Sequence, residues 1–166
     1  VGAHILSING VLDDSFDKAN VSDKELLAVS SKAFCVINDE IEDKMRASVE
    51  KARLDGDSVG GVIECAVVDV PVGIGANIFS TVEGHISSAL FGVPAVKGVE
   101  FGAGFDFAKM TGYEANDTYS ISNGNVKINK NNNGGILGGM TTGAPIIVRA
   151  VVKPTPSISK AQKSVN

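Results

Sequence analysis

The chain has 166 residues, of which 43% are hydrophobic and 20% charged, the makeup expected of one ordinary globular domain with a real core. Lys and Arg number 15 against 19 Asp and Glu, a net charge of -4; with no basic stripe and no Trp, a dedicated nucleic-acid binder is excluded. Cys35 and Cys65 form no Cys-x-x-Cys pair and have no His at ligand spacing, so no metal site is expected, and both read as buried thiols of a reducing, cytoplasmic compartment. No run approaches the roughly 18 apolar residues of a membrane span and no signal peptide is recognisable, so no membrane partner is expected either.

In chain order, residues 1–10 alternate as a strand, and residues 11–31 are polar and charged, a loop with a short helical turn. In "DEIEDKMRASVEKARLDGD", Ile41, Met45, Val49 and Ala52 recur at helical spacing; Asp39 with Glu42 supplies an N-terminal capping pair and Gly56 the stop. Residues 60–75 form a β-rich apolar run ended by Pro71 and Gly73. "STVEGHISSALFG" predicts a second helix, with Val82, Ile86, Ala89 and Leu90 on one face and His85 on the polar side. "AVKGVEFGAG" is a short strand closing on glycines, residues 114–133 are an Asn-rich loop or hairpin, and "APIIVRAVVK" is an uninterrupted β-branched strand. "PTPSISKAQKSVN" leaves in extended form. Strand–helix alternation is too sparse for a doubly wound sheet, and no glycine fingerprint opens either helix. The pattern predicts an α+β fold, helices packed against antiparallel strands, as a single domain over residues 1–166.

Nineteen glycines cluster at 56–61, 73–75, 98–104 and 134–143, marking tight turns or ligand-facing loops. Gly134 and Gly139 have the spacing of a phosphate-binding loop, but Met140 stands where that loop needs Lys, so the P-loop reading fails. "KPTPS" admits two readings. Its prolines stiffen an extended segment along which Lys153, Thr155 and Ser157 alternate, one ammonium and two hydroxyls suited to clamp a phosphate; it also fits a rigid turn with a solvated lysine. His4 and His85 are the only histidines, and with no evident nucleophile or acid partner both read as surface residues rather than catalytic bases.

Four segments together resemble the chorismate synthase family. They are "GDSVGGVIE" (56–64), "PVGIG" (71–75) followed by Phe79, "PAVKGVEFGAGF" (94–105) and "GGILGGMTTGAPIIVRAVVKPTPSI" (134–158), in family order and spacing over nearly the whole chain. The departures are Ala103 where the family carries an acid, Ala76 and Asn77 where it carries Glu-Pro, and the loop Asn131, Asn132, Asn133, Gly134 and Gly135 where it usually reads NHAGG or NNAGG.

The resemblance implies a β-α-β sandwich, helices between antiparallel sheets, assembled as a homotetramer, with this chain supplying one sheet. It implies anti-1,4-elimination of phosphate from 5-enolpyruvylshikimate 3-phosphate to give chorismate. That reaction requires reduced FMN without net redox change, and NADPH enters only indirectly, for flavin reduction. Carried over residue by residue, the flavin contacts fall on Pro94 and Ala95, on Gly138, and on Lys153, Pro154, Thr155, Pro156 and Ser157, so the anion held there is expected to be the flavin phosphate. The family's two catalytic histidines, its Arg-Ser-Ser flavin loop and its Arg-His-Asp-Pro-Cys segment match nothing here, so no catalytic residue is assigned within this chain. His85 falls where relatives commonly carry Asp. With Val1 in place of an initiating Met, the expectation is a central-to-C-terminal section, inactive alone. A non-catalytic scaffold with weak flavin or phosphate binding is the alternative.

Overall fold

A computed structural model describes every residue except 77, 123, 164 and 166, so the departure at Asn77 lies outside the described residues. The elements in chain order are β1 (Gly2–Ile8), β2 (Val11–Leu12), α1 (Asp23–Ser30), α2 (Glu42–Leu54), β3 (Gly61–Val67), α3 (Val82–Phe91), β4 (Val96–Phe101), α4 (Gly112–Ala115), β5 (Tyr119–Ser122), β6 (Asn125–Ile128), β7 (Ile136–Leu137), β8 (Met140–Thr141) and β9 (Ile146–Val152). Five strands form one antiparallel sheet in the order β2-β1-β3-β9-β4, while β5-β6 and β7-β8 are separate two-stranded ribbons. The α+β expectation holds.

Residues directly opposite one another on adjacent strands share a face, so the register defines rows across the sheet. Gly2, Ala66 and Ile147 form one row; beside it lie His4, Glu64, Arg149 and Glu100, then Ser7, Val62, Val151 and Gly98. The first row carries the core, where Ala66 and Ile147 pack with Phe16, Val21, Leu26 and Val29. Helix α1 reaches that row because Gly2 has no side chain: a Cβ there would lie 2.8 Å from the Leu26 Cβ. Full burial of a leucine such as Leu26 stabilises by about 1.5–3 kcal/mol.

Several local expectations need correction. Residues 23–30 are a true helix with a Ser22–Glu25 capping box, not a loop with one turn. The second helix is preceded by a 3-10 turn over Asp39–Ile41, and Asn38 caps it by accepting the Glu40 N–H at 3.0 Å. Asp39 and Glu42 form no capping pair; they bind Lys32 (2.7 Å) and Arg46 (2.6 Å). Gly56 does end α2, in a left-handed conformation (φ 65°). On α3, Val82, Ile86 and Leu90 are half-buried, but Ala89 is exposed. Cys35 and Cys65 are half-buried rather than buried, and unbonded to each other. The Asn-rich segment is the β5-β6 hairpin. No helix among the described residues is long and apolar enough to cross a membrane.

Candidate functional site

The edge where β9 leaves the sheet gathers three of the glycine- and proline-marked segments. The Lys153 N–H donates to the Ala95 carbonyl at 2.9 Å. Ala95 holds that carbonyl from a left-handed conformation (φ 73°), which side chains other than glycine rarely adopt and which tends to mark functional turns. On the other flank, the Ser58 hydroxyl donates to the Thr155 carbonyl at 2.6 Å and the Ser159 N–H to the Gly56 carbonyl at 2.9 Å. Gly60 lets the two backbones touch, since a Cβ there would lie 2.6 Å from the Val152 carbonyl and 3.0 Å from the Pro154 ring.

Lys153, Pro154, Thr155, Pro156 and Ser157 are all exposed, with Pro94 exposed beside them. The Lys153 ammonium and the Thr155 and Ser157 hydroxyls make no side-chain hydrogen bond or ion pair to any described residue. One ammonium and two hydroxyls without side-chain partners among the described residues are a donor set that suits a phosphate monoester. Lys160 is engaged with Asp57 at 2.8 Å, and its ammonium holds the Asp57 carboxyl below the usual carboxylate range, helped by the Ser58 N–H. A carboxyl lowered on folding favours the folded state above its unfolded value, near 3.8, and that contribution is lost as the pH falls through the lower folded value.

Gly138 stands apart from this edge. It occupies the two-residue turn of β7-β8 with Gly139, both at positive φ (61° and 83°), as a tight hairpin requires. Gly139 docks at the start of α3, accepting the Val82 N–H at 3.0 Å, whereas Pro94 and Ala95 follow the other end of that helix. Ten residues of helix separate the ends by about 15 Å. Among the described residues, apart from its chain neighbours, no atom lies within 4 Å of where a Gly138 side chain would begin. The glycine cluster at 134–143 thus makes a hairpin docked on a helix start, and the structure does not bring Gly138 together with the other seven residues.

The Asn loop is structural. Asn131 is buried; its amide donates to the Lys18 and Pro145 carbonyls (2.8 and 2.7 Å) and its oxygen accepts the Gly135 N–H at 2.7 Å. Asp117 holds the Asn132 and Asn133 N–H groups. Ala103 is buried beneath the same loop, donating to the Asn132 carbonyl at 2.6 Å.

His4 is not on the surface. It is 1% exposed, with Nδ1 at 3.2 Å from Asp13 and Nε2 at 3.1 Å from Glu64, both buried. Asp13 also accepts the Ile37 and Asn38 N–H groups (2.6 and 3.0 Å), and Glu64 accepts the Phe16 N–H at 2.8 Å. Further along the row, Arg149 Nε lies 3.0 Å from Glu100 Oε1, although its N–H is not aimed at that oxygen, and the guanidinium donates to the Gly102 carbonyl. Beyond Arg149 lies a largely apolar hollow of about 220 Å³ bounded by Val62, Val151 and Phe105. His85 is exposed and 2.9 Å from the Ser80 hydroxyl. The sequence carried no signal for the His4 cluster, whose members stand as far as 60 residues apart. Among the described residues, no three His, Cys, Asp or Glu side chains are grouped to hold a metal ion.

The sequence model of the family described as chorismate synthase matches residues 1–166. The chain is 50% identical over 129 residues to the chorismate synthase of Korarchaeum cryptofilum, covering 78% of this chain and 36% of that protein. It is 49% identical over 146 residues to that of Thermococcus gammatolerans (88% and 40% covered) and 42% identical over 167 residues to that of Methanosarcina acetivorans (100% and 44%). A crystal structure of chorismate synthase superposes with a TM-score of 0.83 at 32% identity, over 94% of this chain and 49% of that one. The chain therefore spans less than half the length of these relatives.

Proposed function

The chain belongs to the chorismate synthase family, and on that premise we propose that it is a section, a single partial domain, of a lyase that eliminates phosphate from 5-enolpyruvylshikimate 3-phosphate to give chorismate, in the shikimate route to aromatic amino acids. The proposal includes a requirement for reduced FMN, with NADPH serving only to reduce the flavin, and assembly as a homotetramer in the cytoplasm; these rest on family membership alone. When bound, reduced flavin would supply electron density transiently while phosphate departs. The residues of this chain would hold the cofactor and add no acid or base to the chemical step.

The observation that carries the binding part is the segment after β9. Its backbone is fastened on both flanks, to Ala95 and to Ser58, while the side-chain donors of Lys153, Thr155 and Ser157 have no partner among the described residues. Pro94, Ala95, Lys153, Pro154, Thr155, Pro156 and Ser157 would hold the phosphate end of the cofactor. Gly138, about a helix length away, would meet another part of it or of a neighbouring subunit. The exposure of Phe79, Phe105 and Tyr113 supports the view that further protein covers this chain.

Flavin affinity tests the reading. Reduced FMN should bind at least tenfold more tightly than riboflavin, which lacks the phosphate, and Lys153→Ala should abolish that preference, since a charge-assisted contact contributes about 1.5–3 kcal/mol. Equal binding of the two flavins would favour the scaffold reading.

A further inference from the structure

We propose that Ser58 is a positioning residue for the anion-holding segment: its hydroxyl sets the peptide plane of Thr155 and so the presentation of the Thr155 and Ser157 donors. The inference rests on the reading of residues 153–157 as the flavin phosphate site.

Pro154 and Pro156 have no N–H, so the segment cannot be fastened by a strand-like ladder. Its leading end is fixed by the Lys153 N–H on Ala95, and beyond it the Ser159 N–H bonds Gly56. Between those points, among the described residues, the segment is held by the Ser58 Oγ to Thr155 carbonyl bond at 2.6 Å, across 97 residues of sequence, and more loosely by the Gln162 amide on the Pro156 carbonyl at 3.2 Å. Ser58 is itself held, its N–H donating to Asp57 at 2.9 Å, and Asp57 reaches Lys160 at 2.8 Å. Gly60 presses the loop against Pro154. A rotation of the Thr155 peptide plane would swing the side chains on both sides of it, so a hydroxyl that touches no ligand can still decide whether the donors converge.

The test uses the full-length polypeptide that contains this chain, titrated anaerobically with reduced FMN and with riboflavin, alongside thermal unfolding. Ser58→Ala should weaken FMN about tenfold, the size of one lost hydrogen bond at a preorganised site, while riboflavin affinity and Tm stay near wild type. Ser58→Thr, which keeps the hydroxyl, should restore FMN binding, and Ser58→Cys, a weak donor of similar size, should fall between. In turnover, Ser58→Ala should raise the KM for flavin and leave kcat at saturating flavin close to wild type. If Ser58→Ala binds FMN like wild type while Lys153→Ala does not, the positioning role is wrong and the phosphate site stands. If Ser58→Ala lowers Tm and weakens both flavins equally, Ser58 is a structural clip and the inference is overturned. If wild type shows no preference for FMN over riboflavin, the phosphate-site reading fails and this inference with it.

Discussion

Asp13 and Asp14 are neighbours with the same side chain and opposite situations. Asp13 is buried, facing His4 and accepting the Ile37 and Asn38 N–H groups, while Asp14 is exposed. Asp13→Ala would strand two backbone donors and one face of the imidazole, a loss of about 2–4 kcal/mol, read as a lower urea midpoint at unchanged m-value. Asp14→Ala should move stability by less than about 0.5 kcal/mol. Nothing in "LDDS" separates the two, because the difference lies in partners 9 to 25 residues away. The same holds for His4, which reads as a surface residue in the alternating first strand until β3 brings Glu64 opposite it. Lys153, by contrast, stayed legible as an exposed cation, since Pro154 and Pro156, which follow it, already fix how its segment runs.

At the scale of elements, the strands with β-branched runs were readable and the short or polar elements were not. Residues 146–152 are apolar except for Arg149: a β-branched run between turn signals is a central strand, and β9 is one, with partners on both sides. Helix α1 was missed although its capping signal, Ser22 and Glu25 in "SDKE", stood in the sequence, because its eight residues bury only Leu26 and Val29 and leave Leu27 exposed. Ser22→Ala should cost about 1 kcal/mol and Leu26→Ala about 2–5 kcal/mol, the second removing the contact that seats the helix on Gly2. Equilibrium unfolding of the two variants checks the order, and equal losses would mean that α1 is held by its ends rather than by its face. The β7-β8 hairpin was obscured for a different reason: two-residue strands carry no periodicity, and a turn made of two glycines is indistinguishable in sequence from a ligand-facing loop.

For the whole molecule, the strand order β2-β1-β3-β9-β4 is the piece that sequence alone did not contain, and it assembles the candidate site. Strands β3 and β9 lie some 80 residues apart in the chain, yet their pairing sets the loop at 56–61 against residues 153–160, and the pairing of β4 with β9 adds Ala95 on the other side. The matched segments were visible one by one; their convergence is a property of the sheet. The same topology limits what the chain can do by itself. His4 is sealed in the sheet with both ring nitrogens on carboxylates, and His85 sits on the first turn of α3, exposed and 2.9 Å from the Ser80 hydroxyl. Among the described residues neither imidazole is bonded to residues 153–157, where the flavin phosphate is proposed to sit, and both nitrogens of His4 are occupied; proton transfer from a positioned group contributes about 10²–10⁴ in rate. The 166-residue chain should therefore release no phosphate from 5-enolpyruvylshikimate 3-phosphate under anaerobic conditions with reduced FMN, beyond the level seen with oxidised FMN. Release that depends on reduced flavin would show that another group in this chain carries the proton. Absence of release with phosphate-selective flavin binding intact would separate holding the cofactor, the role proposed for this chain, from the acid–base step, for which neither of its histidines is free or at residues 153–157.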